Sequence, residues 1–167
     1  MTTKRTTKAK GGKKQTWDVG DCFTLTLCDG SFSVGQVIGY EPEAMNSAIC
    51  AFYAQRFPNR NVAHCNGLTD DLLVAVLFVT RDLIDSGDWA VGGHEAPIDA
   101  YRYFDLIDLK ANGFVGLKII GSGIVIDLMN AYFGLQPWDD FHNRSYLDGL
   151  LVSPDRRPAN VVLLHGK

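Results

Sequence analysis

The dipeptide Asp29-Gly30 separates two runs in which apolar and polar residues alternate, residues 22–28 and residues 31–40. An Asp-Gly pair favours a tight turn, because its glycine readily takes the positive φ that such a turn requires. The pattern therefore predicts a β-hairpin with Thr24 and Thr26 on its solvent side. A glycine inside a strand marks a bulge or a close approach of backbone, which we expect at Gly35.

The rest of the chain predicts short strands and few helices. Residues 47–55 are apolar on both faces, which is typical of a central strand, and the valines of residues 72–80 favour another. We also expect strands over 101–110, 114–120 and 160–164, a helical turn over 81–86, a helix over 122–132 capped by Ser122, and a short helical piece over 146–151. The fold class is α+β and β-rich, with a curved, mostly antiparallel sheet or partly open barrel covered by one or two short helices.

Charge divides the chain into two parts. Residues 1–16 hold six of the 16 basic residues, no acid and, after Met1, no large apolar side chain, which predicts a disordered basic tail. The single globular domain, residues 17–167, keeps ten basic residues against all 19 acids, a formal charge of −9. An acidic body argues against a nucleic-acid-binding surface and suits a cationic partner, a metal ion or solubility alone.

Compartment and membrane topology follow from what the sequence lacks. The longest apolar run, residues 72–79, is too short for a membrane helix, and no apolar stretch of a secretory signal follows Met1. The four cysteines show no close C-x-x-C spacing. We therefore expect a cytoplasmic protein with reduced, buried cysteines. As a nucleophile, a thiolate of Cys50 or Cys65 is a weaker candidate than the acidic and histidine side chains described next.

Two segments concentrate residues that carry chemistry. Residues 136–144 include Asp139, Asp140, His142 and Arg144 beside Trp138; carboxylate and imidazole are competent metal ligands, so Asp139 and His142 could hold a divalent ion. The same residues could instead form a capping and salt-bridge cluster. Residues 88–95 place Trp89 and His94 around Gly92-Gly93, which could equally be a polar loop. Both tryptophans could also be core residues.

Several short motifs occur in a fixed order that spans residues 17–151. They are Gly20-Asp21-Cys22-Phe23, Asp29-Gly30, Gly35-Gln36-Val37-Ile38, Ala51-Phe52-Tyr53, Gly87-Asp88-Trp89, Gly134-Leu135-Gln136-Pro137-Trp138-Asp139 and Tyr146-Leu147-Asp148-Gly149-Leu150-Leu151. In this order they resemble the immunity protein 26 family, a grouping that also takes in phosphotriesterases of the HocA type.

The resemblance implies two functions. The first is hydrolysis of an organophosphate triester by water or a side-chain nucleophile, for which we assign Asp139, Asp140, His142 and His94 as catalytic residues, with a divalent metal ion as the candidate cofactor. Arg144 would bind the phosphoryl oxygen, and Trp89 and Trp138 would wall the leaving-group pocket. The alternative is an immunity protein that binds and neutralises a bacterial toxin. Neither function involves a membrane or nucleic acid.

Overall fold

One sheet organises the computed structural model, which describes residues 14–164. Its six strands are β1 (Asp21–Thr26), β2 (Phe32–Glu41), β3 (Ser47–Phe57), β4 (Leu73–Val79), β5 (Ala90–His94) and β6 (Ile119–Ile120). They lie in the order β5-β1-β2-β3-β4-β6, and every pairing is antiparallel except that of β4 with β6. The sheet is open, with β5 and β6 at its edges.

Three α-helices accompany the sheet in the described part of the chain: α1 (Asp82–Ser86), α2 (Leu106–Ala111) and α3 (Ser122–Tyr132). The predicted fold class is confirmed, since a mostly antiparallel sheet carries short helices on its faces. Within residues 14–164, no helix combines the length and the apolar character needed to cross a bilayer. Residues 1–13 of the expected tail, and residues 165–167, lie outside the described residues.

The predicted hairpin joins β1 to β2. Gly30 has a φ of +83°, and the amide of Leu27 donates to the carbonyl of Ser31 at 2.8 Å. The close approach at Gly35 is also confirmed: a Cβ there would lie 2.6 Å from Cζ of Phe23, its partner across the strands. The absence of a side chain at Gly35 therefore lets the Phe23 ring lie across β2.

One face of the sheet packs around that ring. Phe23 stacks on Trp89 with ring centroids 5.0 Å apart, and Phe52 meets both rings edge-on. The helix α3 covers this face, with Val125 and Leu128 fully buried. Each large side chain buried here contributes about 1.5–3 kcal/mol of transfer free energy, so this cluster is a major source of the fold's stability.

The start of α3 is fixed by side chains from the end of β4 and the start of α1. The N-cap residue is Gly121, not Ser122 as predicted, and the amide of Ser122 donates to Oγ1 of Thr80 at 2.9 Å. The Ser122 hydroxyl donates to Oδ1 of Asp82 at 2.6 Å. These hydroxyl hydrogen bonds, from Ser122 first and then Thr80, lower the pKa of Asp82.

The prediction of strands over 101–110 and 114–120 is wrong except at β6. Asp99 and Asp105 each accept a backbone amide, from Tyr101 and Asp108 respectively, and so cap a 3₁₀ turn and α2. Helical periodicity then turns Leu106 inward, where it packs on the second face of the sheet. Capping by short acidic side chains therefore favours helical turns here over the strand that we expected.

The C-terminal part of the described chain crosses the first face without entering the sheet. The predicted helical piece over 146–151 is confirmed as a 3₁₀ turn, Leu147–Leu150, whereas residues 160–164 form no strand. Two hydrogen bonds hold that last segment: the Trp138 amide donates to the Val162 carbonyl at 2.8 Å, and the Leu164 amide donates to Asp139 Oδ1 at 2.6 Å.

A disulfide explains a second departure from the predictions. Thr24 is buried rather than exposed, because the loop between β3 and β4 folds over its side of β1. Cys65 in that loop is bonded to Cys22 of β1, with Cα atoms 6.2 Å apart. Cys28 is exposed, so only Cys50 matches the expected reduced, buried thiol.

We expect Cys65→Ser to lower the free energy of unfolding by about 2–4 kcal/mol, because the crosslink closes a separation of 43 residues in the unfolded chain. Urea unfolding followed by circular dichroism measures this loss. A dithiol reductant should destabilise the wild type by a similar amount and leave Cys65→Ser unaffected. The matched control is Cys28→Ser, which removes an exposed free thiol. Equal stability of all three proteins would show that the crosslink does not stabilise the fold.

Candidate functional site

The predicted catalytic segment, residues 136–144, divides between core and surface. Asp139 is buried and accepts the Leu164 amide, so its carboxylate takes part in holding the C-terminal segment. Asp140, His142 and Arg144 are exposed, and none of the three side chains makes a hydrogen bond or ion pair with another described residue. Among residues 14–164 there is no group of three or more histidine, cysteine or acidic side chains that could hold a metal ion.

The two tryptophans assigned to a leaving-group pocket lie in the core. Trp89 is 1% exposed and stacks on Phe23, while Trp138 is fully buried. The indole nitrogen of Trp138 donates to Asp148 Oδ1 at 3.1 Å, and the guanidinium of Arg157 lies over its ring. Neither indole turns a face to solvent, so both side chains pack in the core.

His94 has a carboxylate partner, but that partner lies outside residues 136–144. It ends β5 opposite Asp21 of β1, and its Nδ1 lies 2.9 Å from Asp21 Oδ1. The ring is 64% exposed and rests over Gly20. A carboxylate that orients an imidazole leaves the second ring nitrogen for proton transfer. No hydrogen bond or ion pair between described residues connects His94 with Asp139, Asp140 or His142.

Neither Cys50 nor Cys65 is a ready nucleophile. Burial raises the pKa of the Cys50 thiol, which keeps it protonated within the core. Cys65 is in the disulfide. A thiolate mechanism therefore has no accessible group at either of the positions that the sequence suggested.

A cluster that the sequence did not identify lies where the chain enters the sheet. The guanidinium carbon of Arg81 lies 5.0 Å from the ring centroid of Trp17 and 5.3 Å from that of Tyr40, and the two rings meet edge-on at 5.6 Å. Asp85 receives both the indole N–H of Trp17, at 2.8 Å, and a guanidinium N–H of Arg81, at 3.1 Å. We call Trp17, Tyr40, Arg81 and Asp85 the Trp–Arg–Tyr cluster.

The segment that carries Trp17 is anchored by its neighbour Gln15. The Gln15 amide nitrogen donates to the carbonyls of Ile84 and Trp89, both at 2.8 Å, and its oxygen accepts the Val91 amide at 3.0 Å. These bonds occupy part of the free edge of β5 and place Trp17 beside α1. Residues 14–16, which the sequence assigned to the tail, therefore lie against the domain.

Two open cavities meet at the Trp–Arg–Tyr cluster, and Val19 and Tyr40 line both. The Arg81 cavity, of about 310 Å³, is bounded by Gln15, Trp17, Arg81 and Asp85. The Tyr101 cavity, of about 330 Å³, lies on the other side of Tyr40 and extends to Asp99 and Tyr101. No motif connects positions 17, 40 and 81, so only the folded chain reveals this surface.

Comparison with known proteins adds no relative from which a role could be transferred. The chain matches no protein-family model, no curated protein and no solved structure. The assignment of a function therefore depends on the geometry described above and on the sequence resemblance.

We expect Gln15→Ala to lower the free energy of unfolding by about 1–2 kcal/mol, because three backbone groups lose their hydrogen-bond partner. The denaturation midpoint in urea measures the loss. Thr16→Ala, which truncates an exposed neighbour, is the control and should leave the midpoint unchanged. If Gln15→Ala also left it unchanged, the Gln15 contacts would contribute nothing and residues 14–16 would behave as tail.

Proposed function

We propose that this protein binds a protein partner, as an immunity protein binds a toxin, and that the Trp–Arg–Tyr cluster is the centre of the docking surface. The observation that carries the proposal is the position of the cluster between two open cavities. Tryptophan, tyrosine and arginine are the residues most enriched among those that dominate binding energy at protein interfaces. Here all three lie at the surface within contact of one another.

The cluster is also held in place before any partner arrives. Asp85 binds both Trp17 and Arg81, and Arg81 donates to the Tyr40 hydroxyl at 3.2 Å. Binding costs less when interface side chains have already lost their rotamer freedom. A surface assembled from residues so far apart in sequence, and fixed by their mutual contacts, suits recognition of a preformed partner.

The charge of the domain supports a basic partner. Residues 17–167 carry a formal charge of −9, and an excess of one sign accelerates encounter with the opposite sign. We therefore propose a basic toxin as the partner, with association that weakens as salt increases.

The proposal includes a cytoplasmic location, where an immunity protein meets its toxin. Disulfides are rare in that compartment. Reduction of the Cys22–Cys65 bond would release the loop between β3 and β4, but the docking surface draws its residues from other parts of the chain. Partner binding should therefore not depend on the redox state of these cysteines.

If a gene beside this protein's own encodes a basic toxin, we expect Trp17→Ala to weaken binding of that toxin by about 30-fold or more, because truncation of a central interface residue costs about 2 kcal/mol. Titration calorimetry with the purified toxin measures the dissociation constant. Tyr40→Ala should also weaken binding, and Arg144→Ala, on the segment 136–144, should not.

Circular dichroism and the urea midpoint must show that Trp17→Ala is folded, and Tyr40→Ala provides a second test if it is not. Wild-type affinity in both cluster variants would place the docking surface elsewhere. Absence of binding by the wild-type protein would overturn the proposal itself.

Hydrolysis of an organophosphate triester is the second candidate, and one observation favours it: the exposed His94 ring paired with Asp21. In this proposal the free ring nitrogen of His94 takes a proton from water as the water oxygen attacks phosphorus. The bond from phosphorus to the leaving group breaks, and the proton passes to the departing oxygen. Asp21 orients the ring and stabilises the imidazolium. The described residues do not fit the divalent metal ion that the sequence suggested, because no three histidine, cysteine or acidic side chains among them come together.

If the protein hydrolyses a chromogenic phosphotriester, His94→Ala should lower turnover by about 10²–10⁴, the usual contribution of a general base. His142→Ala, which removes an exposed histidine without a partner among the described residues, is the matched control and should keep turnover near the wild-type rate. A turnover rate of His94→Ala as high as that of the wild type would exclude the Asp21–His94 pair from the reaction. No turnover by the wild type, with or without added divalent ions, would remove this candidate.

A further inference from the structure

The Tyr101 cavity differs in chemistry from the Arg81 cavity on the other side of Tyr40. Its floor is apolar, formed by Ile38 of β2 and Ile49 of β3, both almost fully buried. Its rim carries two carboxylates, Glu41 and Asp99, and the half-exposed ring of Tyr101. Among residues 14–164, no lysine or arginine lines this cavity. The combination is an apolar trough with a negative, aromatic rim.

The ion pair of Glu41 indicates that the rim of the Tyr101 cavity accepts a cation. Its side chain is only 11% exposed, and its Oε1 lies 3.3 Å from the ammonium nitrogen of Lys110 on α2. The Lys110 side chain reaches the carboxylate from outside the cavity and is itself 47% exposed. A carboxylate taken this far out of water is stabilised by a nearby cation, and an additional cation in the cavity would face it together with Asp99.

The two tyrosines supply the second part of the recognition. Tyr40 is 39% exposed and Tyr101 is 55% exposed, and both line the cavity. The face of a phenol ring attracts a guanidinium or ammonium group, and the attraction adds to that of a carboxylate. Long basic side chains also bury their methylene stems against apolar surface while the charged end stays near water.

We infer that the Tyr101 cavity is a receptor for an arginine or lysine side chain, which in the complex proposed above comes from the basic protein partner. The methylene stem lies on Ile38 and Ile49. The charged end lies between the tyrosine rings, within reach of Glu41 and Asp99. The inference builds on the proposed function, since it names the part of the partner that this end of the docking surface selects.

The test uses N-acetyl-arginine amide as a probe. Its binding is measured by the shifts that it causes in the amide resonances of the isotopically labelled full chain. N-acetyl-norleucine amide, which has an apolar stem and no charge, is the matched ligand control. We expect saturable shifts at residues 38–41 and 98–101 with the arginine probe alone, and a loss of binding in high salt. Equal shifts with both probes, or no shifts in these two segments, would overturn the inference.

Three substitutions, at Asp99 and Tyr101, identify the groups responsible. Asp99→Asn keeps an oxygen that can accept the Tyr101 amide, yet removes a charge, and should weaken the probe at least threefold. Tyr101→Ala should weaken it by a similar factor, whereas Tyr101→Phe keeps the ring and should bind as the wild type does. Unchanged binding in both Asp99→Asn and Tyr101→Ala would overturn the assignment.

The probe needs no partner, so its result is separate from that for the proposed function. Binding of the probe together with failure of the toxin to bind would leave the cavity as a basic side-chain receptor and reject the immunity function. Binding of the toxin with the same affinity by wild type, Tyr101→Ala and Asp99→Asn would leave the docking proposal in place and reject this inference.

Discussion

The ring of Phe23 lying across Gly35 is the contact on which the arrangement of this protein depends. Any side chain at Gly35 would overlap the ring, so the contact exists only because β2 has a glycine opposite Phe23. The other side of the ring stacks on Trp89, which directly precedes β5. One aromatic stack thus joins two central strands to an edge strand and fixes where that edge lies. A fully buried pair of large rings tolerates little displacement, because dense packing leaves no space into which either could move.

Both candidate functional regions take their positions from that edge. With β5 held beside β1, His94 falls opposite Asp21, and the carbonyl of Trp89 faces the side chain of Gln15. The hydrogen bonds of Gln15 thereby place Trp17 beside Arg81. The core therefore determines the surface through backbone geometry, although Phe23 and Trp89 themselves contact no solvent. A change in the stack would disturb the Asp21–His94 pair and the proposed docking surface together.

Local patterns in the sequence predicted those parts of the fold whose signals are local. The Asp29-Gly30 turn, the doubly apolar run of β3 and the valine-rich β4 all formed as expected. The region that became α2 was predicted wrongly, because the Asp105 side chain caps a helix there. The burial of Thr24 could not be predicted either, because it depends on a loop brought over β1 by a bond between two cysteines distant in sequence.

The candidate site was harder to predict than the fold for the same reason. Residues 136–144 predicted a site because carboxylates, a histidine and an arginine follow one another in sequence. Neighbouring residues in an irregular segment, however, point in different directions. Asp139 turns inward, whereas Asp140 and His142 turn outward. Recognition surfaces need side chains that converge, and convergence in this protein comes from the sheet. The end of β2 places Tyr40 between two cavities, where residues from the chain entry and from α1 reach it. Contact between distant residues, rather than their density along the chain, therefore distinguishes the proposed docking surface from the segment that the sequence favoured.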